Sequence, residues 1–200
     1  IPGRFGDRKP PSSAYATPSP ILHFVIERKK DLPLFIGGNF WDGRATGERL
    51  GSPAAEQALG PFLNPLEQAL PSPTEVVSRI CSSAYNTQFT QVCGADACSL
   101  SDVDAAYDCV GFAVAAFEGS RESNQFSSRY DAYLAGKAQL TQLEKQGLSL
   151  FRGKGKCAAC HTVAPGPNGE LPLFTDFTFD NLGVPRNVDN PFYSATEFNP

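Results

Sequence analysis

Apolar residues recur at helical spacing in three stretches of the chain. In the longest, Val103, Ala106, Tyr107, Val110, Val114 and Phe117 line one face of a helix predicted from Asp102, with Ser101 as its cap and Gly119 as its stop. Acidic residues gather in its first turns, where the helix dipole favours them. A shorter helix is predicted over Glu75-Val76-Val77-Ser78-Arg79-Ile80, opened by the hydroxyl of Thr74 and an early carboxylate. Thr141-Gln142-Leu143-Glu144 is a capping box, and the helix it starts runs through Leu148 and Phe151 until Gly153 and Gly155 break it. Ile1 to Pro20 is rich in Pro, Ser and Gly and reads as an extended connector lying over something else. From Val163 onward Pro, Gly and Asn punctuate the chain, and Phe174, Phe177 and Phe179 give weak strand signals at best.

Composition narrows this picture. The 200 residues are enough for one sizeable domain or two small ones, and 18 Gly with 17 Pro make the chain loop-rich. The hydrophobic fraction of 41% excludes collagen-like and fully disordered readings. With 17 Lys+Arg against 21 Asp+Glu, the net charge is −4, and the only charge cluster is the short Glu27-Arg28-Lys29-Lys30. Nucleic acid is therefore not an expected partner. The longest apolar stretch, Cys109 to Phe117, is far below the roughly 20 residues of a membrane-spanning helix. The chain opens with Ile1 and holds no Met, which predicts a trimmed polypeptide, by removal of an export signal or by other processing.

The six cysteines carry two kinds of chemistry. Cys157-Ala158-Ala159-Cys160-His161 has the C-x-x-C-H spacing of covalent haem c attachment, in which two thiols span one edge of the macrocycle and the adjacent imidazole ligates iron. A zinc site needs a second pair of ligands, and the only other His is His23. Cys81, Cys93, Cys98 and Cys109 allow three pairings. A nested pattern is expected, with Cys93–Cys98 closing a short loop and Cys81–Cys109 stapling the flanking helices; four buried free thiols are the alternative. Disulfides and c-type haem both belong outside the cytoplasm, so the protein is expected to be periplasmic or otherwise exported.

Three blocks resemble one family. They are Phe40-Trp41-Asp42-Gly43-Arg44-Ala45, with Glu56-Gln57-Ala58-Leu59-Gly60-Pro61 and Asn64-Pro65-Leu66-Glu67 downstream; Ala115-Ala116-Phe117-Glu118 followed by Tyr130 to Gly136; and Gln146 to Phe151 leading to the cysteine motif and on to Asn181-Leu182-Gly183-Val184-Pro185. In order and spacing they are similar to the bacterial di-haem cytochrome c peroxidases and their MauG-like relatives. The resemblance implies an all-α, loop-rich fold of two cytochrome c-like haem domains with few or no strands. Residues 1–138 would be the remainder of the first, peroxidatic domain, whose own attachment motif lies upstream, and 139–200 the start of the second, electron-transfer domain.

The resemblance also implies roles. Trp41 would lie between the haems and carry an electron, where a lone Trp is otherwise a core aromatic. Glu67 would stand over the first haem with Gln57 and Pro61 and exchange protons with peroxide, its pKa raised by a partly apolar pocket; without the resemblance it is a surface Glu in a Pro-rich loop. Gln57 would orient the peroxide or a distal water by its amide, or else is a solvated helix residue. Arg44 and Asp42 would pin their loop or a haem propionate. His161 is the expected iron ligand, with its other ring nitrogen donating to a carbonyl. His23 is open between a surface, a structural and a sixth-ligand role. The expected reaction is reduction of hydrogen peroxide with electrons from a small cytochrome c or copper protein; a MauG-like oxidase acting on a protein or organic substrate, and a haem electron carrier with no enzymatic activity, are the alternatives. A second haem on missing or partner sequence, a calcium ion, and a homodimer or complementary chain complete the expectations.

Overall fold

The structure, a computed structural model, describes residues 4–27 and 32–194. Arg28, Lys29 and Lys30 of the basic cluster lie outside the described residues, as do 1–3 and 195–200. It is mostly helical and loop-rich, with one small sheet. Strands β1 (His23–Glu27) and β2 (Leu32–Ile36) pair antiparallel, with His23 opposite Ile36. Among the described residues six helices follow: α1 (Pro53–Leu63), α2 (Pro73–Cys81), α3 (Asn86–Cys93), α4 (Val103–Glu118), α5 (Arg129–Leu134) and α6 (Gln142–Arg152).

The expected caps hold in two places and move by one or two residues in two others. The Thr141 capping box opens α6, and Gly119 ends α4. The second predicted helix starts earlier than expected, because Ser72 caps it and Pro73 fills its first turn, where a missing N–H leaves nothing unsatisfied. Asp102, not Ser101, caps α4, its carboxylate accepting from the Ala105 amide.

The core gathers around α4. Leu59, Val76, Val77, Phe89, Ala97, Ala106, Tyr107 and Val110 form one buried cluster, and Ala54, Ala55 and Ala115 form a second where α1 crosses α4. The crossing is close at Gly111, where an added Cβ would lie 2.6 Å from the Ala55 carbonyl oxygen. Burying these side chains is the main favourable term, at roughly 25 cal/mol per Å² of apolar surface.

The nested disulfide pairing is wrong. Cys81 joins Cys98 and Cys93 joins Cys109, with Cα separations of 5.6 and 5.8 Å. The segment after α3 does not form a small exposed loop closed on itself. It turns inward, burying Ala97 in the core, so Cys98 returns to the end of α2 while Cys93 meets the middle of α4.

The N-terminal connector lies over two loops, the one after β2 and the one after α4, as expected of an extended strap. Trp41 Nε1 donates to the Lys9 carbonyl at 2.7 Å, the Tyr15 amide donates to Asn124 Oδ1, and the Ser19 hydroxyl donates to the Gly38 carbonyl at 2.8 Å.

Candidate functional site

Two groups of chemistry-bearing residues emerge, one around the cysteine motif and one around α1. Helix α6 ends at Gly153, and the chain doubles back so that the Gly155 amide donates to the Leu150 carbonyl at 2.7 Å. Glycine is required there, since a Cβ would come within 2.8 Å of that same oxygen. A single 3₁₀ turn, Cys157–Ala159, then brings the His161 amide to the Cys157 carbonyl at 2.9 Å. Cys157 and Cys160 are exposed free thiols, and they are the only cysteines outside the disulfides.

The imidazole of His161 is held from behind. Its Nδ1 is 2.8 Å from the Phe174 carbonyl oxygen, which can only accept, so Nδ1 carries the proton and Nε2 keeps its lone pair. Thr162 ties down the neighbouring carbonyl of Thr175 at 2.9 Å. Phe151 packs between Phe174 and the His161 ring, with centroid distances of 6.2 and 6.3 Å. Tyr130 closes the backing: its ring meets Phe174 edge-on, its hydroxyl donates to the Val163 carbonyl at 2.7 Å and accepts from Arg152 at 2.9 Å. Two exposed thiols and an imidazole with a fixed tautomer and an available Nε2 fit covalent haem c, which needs those donors and no others from this segment.

The second group begins where β2 ends. Gly37 and Gly38 take left-handed conformations, and a Cβ on Gly37 would be 2.3 Å from the Pro20 carbonyl oxygen. The following loop presents Trp41, 60% exposed, which removes the core-aromatic reading. Asp42 accepts from Arg8 at 2.7 Å and from Arg44 at 2.9 and 3.0 Å. Burial alone would raise the Asp42 carboxyl, but the hydrogen bonds from Arg8 and Arg44 outweigh it and hold it below the ordinary carboxylate range. Arg44 also lies 3.6 Å from the centre of the Phe40 ring, so it pins the loop from two sides.

Glu56, a residue not singled out from the sequence, organises the next turn. Its carboxylate accepts from the amides of Gly47, Arg49 and Leu50 at 2.8, 2.8 and 2.9 Å, while Arg49 Nη1 donates to both carboxylate oxygens of Asp108 of α4 at 2.7 Å. That fixes the 47–50 turn to both α1 and α4. Gln57, Pro61 and Asn64 follow at i, i+4 and i+7, which places them on one face of the helix and its cap. Pro61 has no N–H to offer the Gln57 carbonyl.

The chain then wraps over the helix end, and Asn64 Nδ2 donates to Glu67 Oε1 at 2.9 Å while Asn64 Oδ1 accepts from the Leu66 amide at 2.9 Å. Glu67 is exposed, with its carboxylate held by Asn64. Asn64 was therefore missed as the residue that sets the Glu67 carboxylate, although an Asn-Pro pair is a recognised turn signal. The Trp41 loop meets α1 where Phe40 approaches Gly60 and a shallow cleft of about 390 Å³ opens between Arg44, Leu59, Leu63 and Tyr107. His23 is exposed on β1, with Nδ1 2.8 Å from the Ile21 carbonyl oxygen.

A family-wide sequence profile described as di-haem cytochrome c peroxidase matches residues 1–139. The chain belongs to this family. Methylamine utilization protein MauG of Paracoccus denitrificans is 34% identical over 183 residues, covering 91% of this chain and 44% of that protein. The cytochrome c551 peroxidase of Nitrosomonas europaea is 33% identical over 157 residues, covering 76% of this chain and 39% of its own length. Among solved structures, the diheme peroxidase BthA of Burkholderia thailandensis matches with a TM-score of 0.81 and 34% identity over 98% of this chain and 45% of that one. The chain thus spans less than half the length of the relatives it matches.

Proposed function

We propose that this chain forms part of a di-haem cytochrome c peroxidase that reduces hydrogen peroxide to water with electrons from a small cytochrome c or copper protein. The observation that carries the proposal is the free, exposed Cys157–Cys160 pair beside an imidazole whose Nδ1 is already committed to the Phe174 carbonyl. Bound haem supplies redox-active iron on which peroxide can be reduced. Everything else falls to side chains of this chain and of the remaining protein.

Cys157 and Cys160 would hold the macrocycle by adding their S–H groups across its vinyl double bonds, and His161 Nε2 would be the nitrogen left to ligate its iron. Reduction of peroxide consumes two electrons and two protons and yields two waters, so a group must move protons between the two oxygens. Glu67 does this: its carboxylate takes the proton from the attacking oxygen and returns it to the departing one, while the Asn64 bond keeps it in place. Gln57 orients peroxide by its amide, and Pro61, one turn further along the same face, walls the pocket. Trp41 lies between the two haem sites and carries electrons across a gap too wide for direct transfer.

In this reading residues 1–138 complete the first haem domain and 139–200 begin the second. The disulfides, and the covalent haem of this reading, support a periplasmic or otherwise exported location. Calcium, held in the family largely by carbonyls and an Asn, has no assigned ligand here, and no step depends on it. The second haem would come from sequence outside these residues or from a complementary chain, and a homodimer is a separate expectation.

A MauG-like oxidase acting on a protein or organic substrate is the second reading, supported by the 34% identity to MauG across 91% of this chain. Steady-state peroxide consumption with reduced donor proteins separates the two. The peroxidase reading expects turnover that Glu67→Gln lowers roughly 10²-fold with the absorption spectrum of the His161-bound haem unchanged. Unaltered turnover in Glu67→Gln removes Glu67 from the mechanism, and no turnover in the parent protein with several reduced donors rejects the peroxidase.

A further inference from the structure

Residues 174–179 touch both groups of site residues. At one end, the Phe174 carbonyl accepts from His161 Nδ1 and the Thr175 carbonyl accepts from the Thr162 hydroxyl, at 2.8 and 2.9 Å. At the other, the segment adds itself to the free edge of β2: the Gly37 amide donates to the Phe177 carbonyl and the Phe179 amide donates to the Phe35 carbonyl, both at 2.9 Å, with Thr178 bridging to Ile36. Gly37 begins the loop that carries Trp41, and the Phe179 ring packs against Gly43 of that loop so closely that an added Cβ would lie 3.3 Å from it.

The segment is not relaxed. Phe174 and Phe177 both take left-handed backbone conformations, φ 57° and 60°, which a side chain with a Cβ adopts only when its surroundings impose it. The two strained residues are the ones whose carbonyls face His161 and Gly37. Within the segment, Thr175 Oγ1 accepts from the Phe177 amide and Asp176 Oδ1 from the Thr178 amide and hydroxyl, so it behaves as one stiff piece.

We propose that residues 174–179 are a brace that sets the axial imidazole of His161 and the Trp41 loop as a single unit, with Thr162 and Phe179 as its positioning residues. The inference rests on the peroxidase reading for its purpose, since it keeps the electron-entry ligand and the relay residue in fixed relation. The brace itself is a matter of geometry and is read without turnover.

The test uses the full-length haem-loaded protein, with two readouts at opposite ends: amide hydrogen exchange of residues 37–43, and the reduction potential of the haem on Cys157 and Cys160. Thr162→Val loosens the near end. The expected result is a positive shift in potential, because a weaker Nδ1–H···O bond leaves the imidazole a poorer donor to ferric iron, together with roughly fivefold faster exchange at 37–43. Thr162→Ser restores both. Phe179→Ala loosens the far end and is expected to speed exchange at 37–43 and to shift the potential in the same direction. Two purely local effects overturn the brace: a potential that moves in Thr162→Val with exchange at 37–43 unchanged, or exchange that moves in Phe179→Ala with the potential unchanged. A Thr162→Val protein identical to the parent in both readouts overturns it too. Should the full-length protein carry this haem yet show no peroxidase turnover, the functional reading fails and the cross-talk still decides the brace.

Discussion

Helices α1 to α4 and the region from Leu140 to Ser194 are built in opposite ways. In the first, side chains face one another: Val77 is fully buried, the Tyr107 hydroxyl donates to the Leu59 carbonyl at 2.6 Å, and two crossed disulfides tie α2, α3 and α4 together. In the second, only Leu140 and Val163 are buried hydrophobic residues, and α6 buries none of its own. Leu143 and Leu150 on that amphipathic helix are 77% and 57% exposed, although a helix of this pattern needs an apolar partner. The region is shaped instead by caps, by carbonyls that receive His161, Thr162 and Tyr130, and by a small aromatic cluster. The difference teaches that the first region makes its own geometry, whereas the second leaves the apolar face of α6 uncovered among the described residues; the proposed function would cover part of it with a macrocycle attached at Cys157 and Cys160.

The largest expected effect breaks that comparison directly. In the full-length protein, Cys157→Ser with Cys160→Ser should abolish covalent haem and raise amide exchange in residues 142–152 by roughly 10³-fold, while residues 103–118 stay within about twofold of the parent. Equal protection in both helices would show that the second region is as self-sufficient as the first.

Next in size are the disulfides, which close loops of 17 and 16 residues. Replacing either pair with Ala should lower the unfolding free energy of the α1–α4 region by about 3 kcal/mol in chemical denaturation. The pairing itself is checked at the same time. Cys93→Ala leaves Cys98 bonded to Cys81 in a non-reducing peptide map, whereas nested bridges would leave Cys98 free.

The smallest effect concerns a flaw in the better-built region. Glu118, 6% exposed at the C-terminal end of α4, has one carboxylate oxygen without a hydrogen-bond partner among the described residues. Burial pushes its carboxyl above the ordinary value of 4.5, and a hydrogen bond from Ser13 opposes this only in part. The folded chain therefore binds this proton more tightly than the unfolded one, and Glu118 makes the protein less stable as pH rises from the ordinary carboxylate range through the raised value. Glu118→Gln is expected to stabilise by about 1 kcal/mol at pH 7, and the gain should vanish near about pH 3, where both carboxyls are protonated. A pH-independent difference in melting temperature contradicts this.

What could be read from the sequence follows the range of the interactions. The α6 capping box and the Gly119 stop are written in consecutive residues, and both stand where expected; the C-x-x-C-H spacing is equally local. The carbonyl predicted to receive the second nitrogen of His161 exists, but its owner, Phe174, could not be named, because the bond spans 13 residues of irregular chain. Trp41 was separable from its core role by its exposure and its contact with Lys9, 32 residues away, neither of which is written locally. The disulfides were misread because spacing does not reveal that Ala97 turns inward. The left-handed Phe174 and Phe177 carry no compositional signal at all, since such positions normally announce themselves as Gly or Asn. Glu67 owed its selection to family resemblance; its Asn64 partner is local and was legible in principle.

The most direct test is the mass of the peptide containing Cys157 to His161, released by protease from the full-length protein under non-reducing conditions. The expected result is a peptide carrying one haem through both thiols. A peptide with two unmodified thiols, or with Cys157 bonded to Cys160, contradicts the assignment on which the electron path and the peroxide chemistry depend.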